Sequence, residues 1–156
     1  KEQTLVSLKT ELEFIESYTF LLKIRFENKF EVQIEVPTEI QNHHYIAPLT
    51  LQMLIENAVK HNIISKQQIL SIDIFSMAGN KLAINNNLQR KPTNTHSNKI
   101  GLSNIKLKYE LLQQAGFKVL EDSKNFTVIL PLIWNNASDK QLAFAQQNAI
   151  NLSPNN

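Results

Sequence analysis

The spacing of apolar residues divides this chain into helical and extended segments. Leu5, Leu8, Leu12, Ile15, Leu22 and Phe26 recur at intervals of three and four, which predicts a long helix from about Thr4 to Asn28. Thr19 interrupts that seam and Tyr18 covers the gap. Phe30-Glu31-Val32-Gln33-Ile34-Glu35-Val36 alternates strictly, as a half-buried strand does, and Pro37 closes it. Thr38 to Ala47 reads as a loop, and Pro48 suits the first turn of a helix ending near Asn62. Leu70 to Met77 alternates again. The turn Ala78-Gly79-Asn80 then folds Lys81 to Asn87 back as a hairpin. Leu88 to Asn98 has no period and is rich in Asn, Thr, Lys and Pro, the composition of a mobile loop. Ile100 to Ala115 is helical, with Leu102, Ile105, Tyr109 and Leu112 inward and Gly116 where a helix end takes a left-handed residue. Phe117 to Glu121 and Asn125 to Ile133 read as two closing strands. Residues 135–156 read as a polar, flexible tail.

This order of elements predicts an α+β fold, a mixed sheet covered on one face by helices. A chain of 156 residues is enough for one domain with its own core. The net charge of +2 comes from residues scattered along the chain and makes no case for nucleic-acid binding. With no cysteine, disulfides and Cys-ligated zinc are excluded. No apolar run approaches the ~20 residues of a membrane span. The chain opens inside a helical pattern without an initiator Met, as expected of a piece of a longer protein.

The chemistry is concentrated in Leu51-Gln52-Met53-Leu54-Ile55-Glu56-Asn57-Ala58-Val59-Lys60-His61-Asn62. At ~100° per residue, Leu51, Leu54, Ile55, Ala58 and Val59 share one side. Glu56 and Lys60 stack one turn apart on the other side, as do Asn57 and His61. Polar residues on an amphipathic helix are ordinarily a solvated face. Here the set is specific. An amide oxygen and a carboxylate can hold Mg²⁺ or its waters, a lysine is a point charge for phosphate, and an imidazole offers a flat face to a ring.

The run Glu56-Asn57-Ala58-x-Lys60-His61 resembles the N box of the GHKL ATPase superfamily. With Pro48-Leu49, Leu51-Gln52 and Leu54-Ile55 before it, it is similar to the LytS-type sensor histidine kinases. The resemblance implies a two-layer Bergerat-type ATP-binding sandwich with a long N-terminal helix. Residues 1–28 would be the helix connecting from a dimerisation and phosphoacceptor domain, 29–134 the catalytic ATP-binding domain and 135–156 the tail. It further implies Asn57 as Mg²⁺ ligand, Lys60 on phosphate, the His61 ring against the nucleotide, and Glu56 orienting a Mg²⁺ water or assisting proton removal. Glu56 as the ion-pair partner of Lys60 stays open beside that role.

Two further motifs depart from the family pattern. Asn86, in Ile84-Asn85-Asn86-Asn87-Leu88, falls where an adenine-binding Asp is usual, and the glycines around it are missing. An Asn triplet after a strand is also an ordinary turn. Gly101, Leu102, Asn104 and Ile105 match the family's Gly-Leu-x-Asn-Ile run at a helix start, with Ser97 and Lys99 in place of two earlier glycines. Lys99, Arg90 and Lys91 are candidates for phosphate contact. The function implied is transfer of the ATP γ-phosphoryl group, with ATP and Mg²⁺ as cofactors, to a histidine outside this chain. The full-length protein would be a homodimer with a response regulator as partner, and the chain would be the cytoplasmic portion of an inner-membrane sensor. Two alternatives stand beside this: a degenerate module with weak or no nucleotide binding that acts in dimerisation and signal relay, and a GHKL ATPase without a histidine acceptor.

Overall fold

Strand alternation and helix periodicity resolve into a computed structural model that describes residues 5–92 and 96–134, with backbone alone for 96–100. Val6–Ser7 (β1) leads into the helix Leu8–Phe26 (α1), and one turn of 3₁₀ helix at Glu27–Lys29 passes the chain to Phe30–Glu35 (β2). Thr38–His43 (α2), His44–Ile46 (β3) and Thr50–His61 (α3) follow. Next come the hairpin Leu70–Met77 (β4) and Lys81–Asn87 (β5), then His96–Leu111 (α4), Lys118–Glu121 (β6), Asn125–Pro131 (β7) and Ile133–Trp134 (β8). The main sheet has the order β2-β4-β5-β7-β6, with β2 parallel to β4 and the other pairs antiparallel. A small antiparallel sheet, β1-β3-β8, holds the start of α1 near the end of the last strand.

Register decides which face is apolar, because side chains alternate across a strand. Ile72 and Ile74 of β4 lie beside Asn86 and Ile84 of β5, which lie beside Phe126 and Val128 of β7. Leu12 and Ile15 of α1, Leu51 and Ile55 of α3, and Ile105 and Tyr109 of α4 are buried in the same core. The opposite face carries Glu31, Gln33 and Glu35 of β2 in solvent. The structure is thus the α+β arrangement of a mixed sheet with helices and a long N-terminal helix.

Five local expectations need correction, the first being the helix start: Val6–Ser7 is a strand, and α1 begins at Leu8 rather than near Thr4. Thr38 to Ala47 is a short helix and strand, held by buried His44. The His44 ring nitrogens lie 2.8 Å from the Ile40 carbonyl oxygen and 3.2 Å from Asn80 Oδ1, and its edge meets Trp134. Asn80 and Trp134 are remote in sequence, so local pattern does not reveal them. Pro48 stands outside α3, since Leu49 adopts φ 64° and the helix begins at Thr50. Helix α4 begins at His96 and ends at Leu111. Gln113, at φ 56°, supplies the left-handed residue, while Gly116, at φ 116°, serves the connection to β6. Finally, Leu88 to Lys91 is pinned. The Leu88 N–H donates to the Lys124 carbonyl at 2.8 Å and the Lys91 N–H to the His61 carbonyl at 3.0 Å. Residues 93–95 and the 135–156 tail lie outside the described residues.

Sequence reading passed over Glu11, which sits inside the buried stripe of α1 and is 5% exposed. Its carboxyl lies against the N–H groups of Leu49 and Leu51, the start of α3, where Leu49 offers no capping side chain. A carboxylate there suits the positive end of the helix. Burial still outweighs those N–H groups and Lys108, and raises the Glu11 pKa above its ordinary 4.5. The folded state therefore holds this proton more tightly than the unfolded chain. Its stabilising contribution is complete below pH 4.5 and fades as pH rises through the folded value. Glu11→Gln is expected to flatten that part of the stability–pH curve and to raise the melting temperature at pH 7, as read by thermal denaturation across a pH series.

Candidate functional site

Helix α3 presents two different polar walls, because residues three and four apart stack while adjacent ones diverge. Asn57 and His61 face the sheet and α4. They line a pocket together with Leu54, Asn86, Leu102, Phe126 and others. Glu56 and Lys60 face α1 and line a separate, more open cleft with Tyr18, Arg25 and Lys91. Asn62 borders both. The structure thus brings Asn57, His61, Asn86 and Leu102 together, and places Glu56 and Lys60 on the far side of the same helix. Asn104 is exposed and does not line the pocket. The side chain of Lys99 lies outside the described residues.

Gly101 sets how closely α4 approaches α3. A methyl group built there would lie 3.1 Å from Asn57 Nδ2, tighter than ordinary packing. The glycine thus gives the Asn57 amide its room. That amide nitrogen is buried with no hydrogen-bond partner among the described residues. So is His61 Nε2. Buried polar atoms are usually satisfied, so two orphans on one pocket wall mark a place prepared for a polar ligand. Amide oxygen and nitrogen exchange by a simple flip, which lets Asn57 present an oxygen to a cation. Among the described residues, no three His, Asp or Glu side chains gather as a metal site. A cation at Asn57 would thus draw its other ligands from a bound anion and water, as Mg²⁺ readily does.

Asn86 is not in a turn. It belongs to β5, is 6% exposed, and donates its amide N–H to the Asn87 carbonyl at 2.9 Å. Each Asn of the triplet has its own task. Asn85 accepts from Thr127 on the outer face at 2.7 Å, and Asn87 binds the start of β4 through the Ser71 N–H and the Ile69 carbonyl.

The imidazole of His61 is neutral at pH 7. Burial lowers its pKa below 6.5, and the charges of Lys60, Arg90 and Lys91 push the same way. A neutral ring keeps one nitrogen as an acceptor and a face available for stacking. Asn62 closes the end of α3. Its amide donates to the Ala58 carbonyl at 2.9 Å while its oxygen accepts from the Gln89 N–H at 2.8 Å. Arg90, at the pocket rim, pairs with Glu121. Sequence reading missed the apolar floor from Ile84, Phe126 and Val128, although the alternation of β5 and β7 carries that signal.

Over 72 residues the chain is 33% identical to the sensor protein LytS of Bacillus cereus, a match spanning 46% of this chain and only 12% of that protein's length. It is 43% identical over 56 residues to the sensor protein kinase HptS of Staphylococcus aureus, spanning 36% of this chain and 11% of that protein. The Acinetobacter baumannii histidine kinase AdeS superposes with a TM-score of 0.54 at 13% identity, covering 85% of this chain and 67% of that one. Part of this chain is thus similar in sequence to the LytS-type sensor histidine kinases, and its fold is that seen in a histidine kinase. No family model matches it. Among the described residues, no helix is long and apolar enough to cross a membrane.

Proposed function

We propose that this LytS-type domain binds ATP with Mg²⁺ in the pocket of Asn57, Asn86 and Leu102, for transfer of the γ-phosphoryl group to a histidine outside this chain. One observation carries the reading: three motifs far apart in sequence, at 57, 86 and 101–102, converge on one pocket with two unpartnered buried polar atoms. The apolar floor suits a purine ring, and a few placed polar groups over such a floor are the usual make-up of a ligand site. The Asn86 carbonyl oxygen supplies an acceptor for an exocyclic amino group. Being neutral, it holds that group less strongly than a carboxylate would. His61 offers its neutral ring to the nucleotide.

Asn57 would hold the metal by its side-chain oxygen. Bound there, Mg²⁺ supplies neutralisation of phosphate charge, the main demand of phosphoryl transfer besides positioning. Lys60, with Arg25 and Lys91 in the cleft that shares Asn62, gives the phosphate end a cationic approach. Glu56 accepts a hydrogen bond from Gln52 at 2.9 Å and lies on that same cleft, where it is the carboxylate available to take a proton from an entering imidazole. In the full-length protein we assign this domain to the cytoplasmic side of a membrane sensor that works as a homodimer and passes the phosphoryl group to a response regulator.

The test is a longer version of the protein, with its upstream dimerisation domain, incubated with γ-labelled ATP and Mg²⁺. Acid-labile label on a histidine is the expected result. A protein that takes up no label, or hydrolyses ATP without labelling itself, would contradict the kinase assignment.

A further inference from the structure

The Glu56 carboxylate is held from two helices. Gln52, one turn earlier on α3, donates its amide N–H to Glu56 Oε1 at 2.9 Å. From across the cleft, the Tyr18 hydroxyl of α1 lies against the same carboxylate. The partner that helix spacing offers is not used. Among the described residues, Glu56 forms no salt bridge with Lys60, although both line this cleft.

Packing does not call for the Tyr18 hydroxyl. The ring stacks on Phe14, with centroids 6.4 Å apart and planes 4° from parallel, and Leu22 lines the cleft beside it. A phenylalanine would fill the same space. A half-buried hydroxyl loses water and is tolerated where it meets a partner. Burial, and next the negative charge of Glu56, raise the phenol pKa above its ordinary 10.0, while Arg25 works against them. The hydroxyl therefore keeps its proton at neutral pH and serves as a donor. Two donors still leave Glu56 accepting capacity, since a carboxylate has about four lone-pair sites. Glu56 is exposed, so packing does not fix its direction. A second donor, anchored on a different helix, does.

We propose that Tyr18 is a positioning residue for phosphoryl transfer, its hydroxyl holding the Glu56 carboxylate on the cleft where the acceptor imidazole enters. This rests on the kinase reading above. In that reaction one imidazole nitrogen forms the bond to the γ-phosphorus. The bond from that phosphorus to the bridging oxygen breaks, and ADP leaves with the electron pair. The proton on the other imidazole nitrogen passes to Glu56. Tyr18 touches none of the reacting atoms and acts through the carboxylate alone. Because Tyr18 belongs to α1 and Glu56 to α3, placement of the base depends on how these two helices pack.

Two measurements test this. In the 156-residue chain with ring-labelled tyrosine, read by NMR, Glu56→Gln should lower the titration midpoint of the Tyr18 phenol, because a neighbouring negative charge is gone. Tyr18→Phe identifies the resonance. In the longer protein with its upstream dimerisation domain, Tyr18→Phe should slow histidine labelling by γ-labelled ATP roughly tenfold, and Glu56→Gln roughly a hundredfold. ATP affinity of Tyr18→Phe should match wild type, because the nucleotide pocket lies on the other wall of α3. Added to Glu56→Gln, Tyr18→Phe should slow labelling no further, since the group it positions is already lost. A purely structural loss would slow both backgrounds alike. An unmoved midpoint, a Tyr18→Phe protein that labels at the wild-type rate or loses ATP affinity in step, or equal slowing in both backgrounds would overturn the proposal and leave the kinase reading standing. A wild-type protein that takes up no label would overturn the kinase reading and the role of Tyr18 in it, with the shifted midpoint preserving the contact alone.

Discussion

Replacing Asn57 by Ala is expected to lower affinity for Mg²⁺–ATP by at least roughly a hundredfold, the scale on which loss of one preorganised polar contact to a phosphate or metal is felt. Fold stability should move the other way. The Asn57 amide nitrogen is buried and unpartnered, so it carries a desolvation cost with no hydrogen bond in return. Removing it is expected to leave the melting temperature unchanged or slightly higher. Calorimetric titration with Mg²⁺–ATP, beside thermal denaturation of the same samples, reads both effects. An alanine variant that melts much earlier would mean Asn57 is a structural hydrogen-bonding residue after all. One that binds like wild type would remove it from the site.

Gly101→Ala should show the same opposition at a second point. Within a helix, alanine is favoured over glycine by up to about 1 kcal/mol, so α4 itself gains. The added methyl group comes to 3.1 Å from Asn57 Nδ2, and the side chain that must yield is the one proposed to hold the metal. Nucleotide affinity is expected to fall roughly tenfold, about 1.4 kcal/mol, while thermal stability holds or rises. A larger side chain at the same position should lose more binding. If Gly101→Ala instead lowered stability and left binding intact, the glycine would serve helix packing alone. Divergence of stability and function at two neighbouring positions is the usual mark of a site whose strain is kept for a ligand.

How much of this was legible beforehand follows from which forces are local. Leu70 to Met77 and Lys81 to Asn87 were read with their observed boundaries, because period-2 alternation and a Gly-Asn turn are properties of the segment itself. The segment from Thr38 to Ala47 was not. Its helix and strand depend on His44 reaching Asn80, 36 residues away, which no local period encodes. Glu11 was passed over for a related reason. At three residues from Leu8 it lies in the apolar stripe, and its carboxyl finds the N–H groups of Leu49 and Leu51 only after α1 and α3 have packed.

The candidate site divides in the same way. The stacking of Asn57 with His61, and of Glu56 with Lys60, follows from helix geometry and was readable from spacing. Which pair faces the sheet depends on what packs against each side of α3, and that placed Lys60 in the α1 cleft, apart from the Asn57 pocket. The Asn triplet read equally as a turn or as part of a binding motif. Its membership of β5, between β4 and β7, is a matter of tertiary pairing.

Nucleotide binding in the pocket between α3, α4 and the sheet is read residue by residue by backbone amide NMR. On addition of Mg²⁺ with a non-hydrolysable ATP analogue, the largest shifts should fall on Leu54, Asn57, His61, Asn86 and Leu102. Smaller ones should reach Lys60 and Lys91. Saturable shifts confined to the α1 cleft around Tyr18 and Arg25, or no saturable shifts at millimolar analogue, would contradict it.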